Sequence, residues 1–463
     1  MTKLNPKSMP SSATHYLGLD VGTTSVKACV FTASGELVVE INEAYPLLHP
    51  EPGAAVQSAS QLLSTCGCAL KKAVAETDGE ILGIGLSCPM HSLILFTEGE
   101  GFDDTVYTWA DNRGVAVIDH ISDELKTELH RLTGTPVHPM TPLVTFRWLT
   151  EYHPEKIAAA THLYGLKELL THGWMTETVL DEQLASATGL YDAVAGQWSD
   201  LALRTAANLS EAAYKQDGFP LQLPPVRPAS YQLTWKPEIA VELGVAGIPV
   251  FLGGSDGCLA NLGSGVDKPG EVAITVGTSA AVRATHQTGR VDPAHRLFNY
   301  RMDADNFAIG GASNNGGKVI EYWQNLLSGH FPDIPSFVNA ALATPPDPGL
   351  RFTPYLNGER APIWDAAAAA DLTGLRGHHQ PAEIARAVVE GVTNNIVTIL
   401  RDLEAAVGET RRIHASGGFT ESKEWVELLA KLSGREVVVA ETGQASAYGA
   451  ALVARRAINS RLD

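Results

Sequence analysis

At 463 residues the chain exceeds one ordinary hydrophobic core, so two domains are expected. A formal net charge of −18 argues against nucleic acid and anionic membranes as partners, because both call for a basic surface; phosphate ligands stay open, since a site needs only local donors. The five cysteines (Cys29, Cys66, Cys68, Cys88, Cys258) are odd in number and unevenly spaced, which reads as reduced cytosolic thiols rather than a disulfide framework. Cys66-Gly67-Cys68 is too closely spaced for a zinc knuckle and has no second pair nearby.

Residues 1–14 are polar and lack an apolar centre, so a loose tail is expected there rather than a signal peptide. No apolar stretch approaches the ~20 residues that span a bilayer, and a soluble, cytoplasmic protein follows as the expectation. The segment Leu17–Phe31 then joins two apolar runs through Asp20-Val21-Gly22-Thr23-Thr24-Ser25, which predicts a hairpin with a polar tip. One carboxylate, three hydroxyls, free N–H groups and Lys27 at such a tip suit a polyphosphate with its magnesium. Helices are expected over Ala59–Ala75 and Ala116–Leu132, and buried strands over Ile81–Ser87 and Leu93–Phe96. A Pro-rich loop at 133–142 precedes more helix from Phe146.

Prolines 224, 225, 228, 237 and 249 punctuate the middle of the chain and place a boundary near 225–250, giving expected domains 15–248 and 249–463. Beyond it Val250–Gly257 repeats the theme of an apolar strand ending at Gly and Asp. Gly270–Arg283 repeats the opening hairpin, with Gly277-Thr278-Ser279 as its tip. Two such tips, one per domain, would clamp a nucleotide between them. Long helical patterns follow at 381–407 and 421–433, and the mixture of strands and helices predicts α/β layers.

Several constellations carry candidate chemistry beside a structural alternative. Asp256 is either the N-cap of the next helix or the acceptor of a proton from an attacking hydroxyl. Ser416-Gly417-Gly418-Phe419 is either a plain strand-to-helix turn or a place where backbone approaches a ribose or base. Gly449-Ala450-Ala451 lies on an expected helix whose small residues permit close packing. Met90-His91-Ser92 and Trp109-Ala110-Asp111-Asn112-Arg113 would suit a polyhydroxylated ligand, or form a surface loop with an Asp–Arg pair. An anionic acceptor would need a cation, for which His91, Arg113, His138 and Lys167 are the candidates.

Taken together, Gly18–Ser25, Gly254-Ser255-Asp256-Gly257, Val276–Ser279 and Ser416–Phe419 resemble the FGGY carbohydrate kinases, a likeness running from about Tyr16 to Arg455 with the motifs in family order. It is strongest to the gluconokinase branch, through Thr108–Arg113, Thr133–Met140, Gly310–Gly317 and Pro354–Trp364, with the xylulokinases next. The resemblance implies two actin-like (ribonuclease-H-like) ATPase domains flanking a cleft, and ATP-dependent phosphorylation of a terminal sugar-acid hydroxyl to give 6-phosphogluconate. It implies Asp256 as general base, and Asp20 with Asp256 near magnesium. Gly22, Thr23, Thr24, Lys27, Gly277 and Thr278 would surround the phosphates, and Gly316, Gly317, Gly417, Gly418 and Ser422 the nucleoside. Met90, His91, Trp109 and Asp256 would line the acceptor, joined by Asp111, Arg113, His138 and Lys167.

One departure stands out: Thr145 occupies a place where the family usually carries Lys, with Arg147 as a nearby charge. A ketose or polyol acceptor within the same family, and an actin-like ATP-dependent binding protein, remain as alternatives. The expected partners are thus ATP and a small acceptor, with the assembly open between monomer and homodimer.

Overall fold

The computed structural model describes residues 13–266, 268–289, 292–439 and 444–460. Of the tail expected at 1–14, residues 1–12 lie outside the described residues, and Thr14 already opens the first strand. Apolar residues fill β1 (Thr14–Val21) and β2 (Ser25–Thr32), which pair antiparallel with Asp20 opposite Lys27, so the chain turns at Gly22-Thr23-Thr24. The strand β3 (Leu37–Ala44) extends this meander antiparallel to β2. Helix α1 (Ala59–Glu76) starts where the Ser58 hydroxyl accepts from Gln61 N, and it buries Leu62, Cys66, Ala69, Leu70 and Ala73 at helical spacing. β4 (Glu80–Cys88) then returns parallel to β1.

Helix α2 (Leu166–Trp174) and the short β5 (Gln232–Leu233) lead to β6 (Val250–Ser255), which runs parallel to β4. The first sheet therefore has the order β5-β6-β4-β1-β2-β3. At its end Ser255 caps helix α3 (Asp256–Gly263) by accepting from Cys258 N at 3.3 Å.

The second sheet uses β7 (Glu271–Val276), β8 (Ala280–His286), β9 (Phe298–Arg301) and β10 (Phe307–Ser313), then β11 (Arg412–Ser416) and β12 (Glu436–Val439), in the order β9-β10-β8-β7-β11-β12. Helices α4 (Gly317–Leu326), α5 (Pro381–Val407) and α6 (Lys423–Ser433) belong to this half, and α5 gives nine apolar side chains to its core, from Ala385 to Leu403. The antiparallel run β3-β2-β1 with parallel β4 and β6 has its counterpart in β10-β8-β7 with parallel β11 and β12. The duplication read from two hairpin tips is thus a duplication of whole sheets, and the α/β class with two actin-like units flanking a cleft holds.

The division at 248/249 needs correction. β6 lies in the first sheet beside β4, so that sheet continues through Ser255. The last helix, α7 (Ala445–Asn459), also packs on the first sheet although it follows the second in sequence. It approaches so closely that a Cβ at Gly18 would lie 1.8 Å from Ala447 O, and one at Gly85 would lie 2.0 Å from Ala450 O. A Cβ at Gly449 would likewise lie 2.0 Å from Leu259 O, which is why small residues fill this helix.

The helix expected over 116–132 is two elements, a 3-10 turn at Arg113–His120 and a helix at Asp123–Thr133. Ser122 separates them by capping the second through Leu125 N. The helix expected from Phe146 begins at Pro142, whose fixed φ suits a first turn, and the one expected from 421 begins at Lys423. Among the described residues no helix is long and apolar enough to cross a membrane.

Candidate active site

Asp20 ends β1 and Asp256 opens α3, so both carboxylates stand at the C-terminal edge of the first sheet. Ser87 Oγ donates to Asp20 Oδ1 at 2.6 Å. Burial pushes the Asp20 carboxyl up to about 6 against the pull of Ser87, the charge of Asp256 adds to the rise, and Lys27 opposes it. Burial also raises Asp256, with Arg283 and the N–H groups of Gly257 and Met90 opposing. Because Ser255 is the cap, the Asp256 side chain is released from capping; its Oδ1 accepts from the neighbouring Gly257 N at 2.7 Å. Two half-buried carboxylates that each resist ionisation fit a divalent cation between them.

The first tip is gripped by side chains. Gln57 Nε2 donates to Thr23 O at 2.6 Å, Trp109 Nε1 donates to Thr23 Oγ1 at 3.0 Å, and the Tyr45 hydroxyl donates to Gly22 O. Thr24 is exposed, and Lys27 Nζ donates to Gln444 Oε1 at 2.9 Å at the start of α7.

A cavity of about 270 Å³ opens beside Asp256 between the two units. From the first unit Thr23, Met90, His91, Trp109 and Met140 line it; from the second come Ser279, Arg283, Tyr300, Arg360 and Trp364. His91 sits in the left-handed region at φ 64, which aims its ring into this wall. Its Nδ1 meets Ala187 O at 2.7 Å and therefore carries the proton, leaving Nε2 to accept from the Tyr300 hydroxyl at 3.4 Å. Burial lowers His91 to about 4, so it is neutral at pH 7.

The structure brings Met90, His91, Trp109 and Asp256 together as expected, but not the remaining acceptor candidates. Asp111 accepts from Arg113 Nη2 at 2.6 Å and from Ala55 N at 3.2 Å, while Arg113 also reaches Glu51 and lies 4.6 Å from the Trp148 ring centroid. That Asp–Arg pair braces a loop away from the cavity. His138 is buried, accepts from Met140 N through Nδ1 at 3.2 Å and is lowered by burial to about 3, so it offers no charge.

Lys167 is fully buried and donates to Leu86 O at 3.1 Å and Leu252 O at 2.6 Å, with Asp181 3.4 Å away. These carbonyls flank an irregularity in β6 between Phe251 and Gly254. Gly253 there has φ 66 and would drive a Cβ to 1.8 Å from Leu86 O. Lys167 thus satisfies backbone that the bulge frees, and it supports the turn carrying Asp256 rather than an acceptor. Thr145 is buried within Pro142–Tyr152, and Arg147 is spent on Glu151 and Thr205 O, so neither supplies the cation of the family Lys.

Two residues to which the sequence attached no role supply positive charge instead. Arg283 projects from β8 on the same face as Ala281, and a lone Arg in that apolar strand was the available signal. Arg360 spans the Trp109 ring at 5.3 Å and donates from Nη2 to Ser313 O at 3.2 Å, yet its buried Nε has no acceptor among the described residues.

The second tip is gripped by backbone. Gly317 N and Lys318 N, opening α4, donate to Gly277 O at 2.6 Å and Thr278 O at 3.2 Å. Gly316 is required there, since a Cβ would lie 2.6 Å from Ser279 O. Gly417, at φ 94, lies under Val276 O, whereas Gly418 faces open space, and Gly277 and Thr278 are exposed. Ser422, expected at the nucleoside, caps α6 by accepting from Trp425 N at 3.3 Å.

Elsewhere Asp347, His378 and His379 cluster, but both His379 nitrogens are engaged, one by Arg376 N at 2.9 Å and one by Asp347 at 3.0 Å. The five cysteines are free thiols, with Cys66 buried and Cys68 exposed.

The FGGY family of carbohydrate kinases matches through its N-terminal domain over residues 15–263 and its C-terminal domain over residues 272–458. A gluconokinase of Bacillus subtilis (strain 168) is 33% identical over 453 residues, covering 95% of this chain and 86% of the relative. The crystal structure of a gluconate kinase from Lactobacillus acidophilus is similar at a TM-score of 0.90 and 29% identity, covering 98% of this chain and 91% of that one. A xylulose kinase from the same organism, solved with a bound ligand, is similar at 0.90 and 29%, covering 97% and 90%.

Proposed function

The chain belongs to the FGGY family of carbohydrate kinases, and from that premise we propose that it phosphorylates a sugar acid, D-gluconate to 6-phospho-D-gluconate, with ATP as donor. The observation that carries the acceptor is the cavity itself, where Asp256 shares one space with two guanidinium groups. An acceptor there meets a base for its hydroxyl and positive charge for an anionic end. Asp256 accepts the proton as the terminal hydroxyl attacks the γ-phosphorus in line. Thr23, Thr24, Lys27 and Thr278 hold the phosphates, with Gly22 and Gly277 giving access to backbone N–H groups. Asp20 and Asp256 would hold Mg²⁺, which neutralises phosphate oxygens. Gly418 leaves room for the nucleoside, with Gly417 packing the turn against Val276, and Gly316 and Gly317 seat the second tip beneath it. Met90, His91 and Trp109 exclude water from the acceptor. Most of the rate enhancement then comes from positioning and charge neutralisation.

A ketose such as xylulose is the second reading, favoured by the neutral His91 and by the equal similarity to a xylulose kinase structure. Coupled ADP release measured with gluconate, xylulose, ribulose and glycerol separates the two. The highest kcat/KM is expected with gluconate. A higher value with xylulose replaces the acceptor, and ATP turnover indifferent to every sugar points to an ATP-dependent binding protein.

A further inference from the structure

We infer that Arg283 and Arg360 together form the receptor for the acceptor's carboxylate, an inference that rests on the gluconate reading. Four other cations were candidates on sequence, and none meets the requirement. Arg113 and Lys167 are spent on partners outside the cavity, and His91 and His138 are neutral imidazoles. Arg283 and Arg360 both line the cavity, and both act electrostatically on Tyr300 between the same walls.

Each retains unspent donors. A guanidinium carries five N–H groups, and Arg360 commits one of them to Ser313 O. Its buried Nε lacks an acceptor among the described residues. Arg283 makes no ion pair among the described residues and lies over Gly257, where a Cβ would stand 3.4 Å from its Nε. The nearby acids are committed elsewhere. Glu359 accepts from Ser313 Oγ at 2.7 Å and Asn395 Nδ2 at 2.8 Å, and Asp256 is kept for the hydroxyl. Burial together with Arg283 draws Arg360 down to about 10, so the two cations repel and an incoming anion relieves both. A carboxylate matches the planar fork of a guanidinium and can accept from two at once. Met90, His91 and Trp109 share this cavity with the pair, whereas Thr278 and Gly418 do not border it, so the pair stands beside the acceptor, with Thr23 and Ser279 marking where the cavity meets the phosphates.

The test compares Arg283→Met and Arg360→Met with the wild type, using gluconate, its neutral amide as a competitor, and ATP. Each variant is checked by thermal melting and ADP binding. Losing charge-assisted hydrogen bonds should raise the KM for gluconate about 10–100-fold. The KM for ATP and the inhibition constant of the neutral amide should stay within about twofold, and the corresponding Lys variants should recover part of the loss. A folded, ADP-binding variant with an unchanged gluconate KM overturns the inference and leaves the gluconate reading intact. A rise in the ATP KM with none for gluconate also overturns it, by assigning the pair to the γ-phosphate. A wild type that does not turn over gluconate overturns the gluconate reading itself.

Discussion

The two tips, Gly22-Thr23-Thr24 and Gly277-Thr278-Ser279, join equivalent strand pairs of duplicated sheets, yet they are held in different ways. The first is held by side chains from elsewhere in its own unit, Gln57, Trp109 and Tyr45. The second is held by the first N–H groups of α4 on its carbonyls. Trp109 also lines the acceptor cavity, so the first tip is coupled to the acceptor. The second borders that cavity through Ser279, whereas its Gly277 and Thr278 are exposed outside it and belong to the nucleotide side. A repeated motif therefore reports shared topology, and the neighbours that grip each copy decide what it does.

The largest separation of the two should come from Gly316→Val. Its Cβ would press on Ser279 O from 2.6 Å and displace the second tip. Displacement by about 1 Å is enough to cost turnover about 10²-fold. Gluconate protection of the first unit against proteolysis should persist. Equal loss of gluconate binding would show that the tips are not separate.

Next in size is the response to pH, which should belong to the first unit. Asp20 is raised to about 6 and Asp256 is raised too, so below about pH 6 the carboxylate pair takes up a proton. The metal site then loses charge and the base is blocked. The kcat/KM should fall about tenfold per pH unit there, and added Mg²⁺ should move the limb lower. For the free protein the sign is opposite: this pair's contribution to stability is present below the ordinary carboxylate range and is lost as pH rises through about 6. A profile flat to pH 5 would contradict the half-buried pair.

The smallest effect tests the coupling through Trp109. Trp109→Phe keeps the ring and removes the bond to Thr23 Oγ1. One such hydrogen bond is worth about 0.5–1.5 kcal/mol, so the acceptor KM should rise about 3–10-fold, and by more than the ADP affinity falls. A shift in ADP affinity alone would reverse the assignment of the two tips.

Local pattern made the hairpins, β4, β6 and the helices α1 and α5 legible, because apolar spacing and caps act over a few residues. The Asp256 turn was legible too, although the helix cap is Ser255 rather than Asp256. What sequence could not show was which side chains face one cavity. Arg113 and Lys167 look like free cations on a line of text, but one is held by a carboxylate two residues away and the other by the carbonyls of a bulge 85 residues on. Arg283 looks like a strand residue until β8 is turned toward the cleft. The return of α7 to the first sheet was hidden for the same reason, since chain order carries no information about which sheet a last helix covers.

The most direct measurement is turnover of Asp256→Asn with gluconate, paired with its ADP affinity. A positioned base contributes about 10²–10⁴-fold, so kcat should fall by at least about 10²-fold while ADP binding stays within about twofold. Near-normal turnover of gluconate by this variant would contradict Asp256 as the proton acceptor.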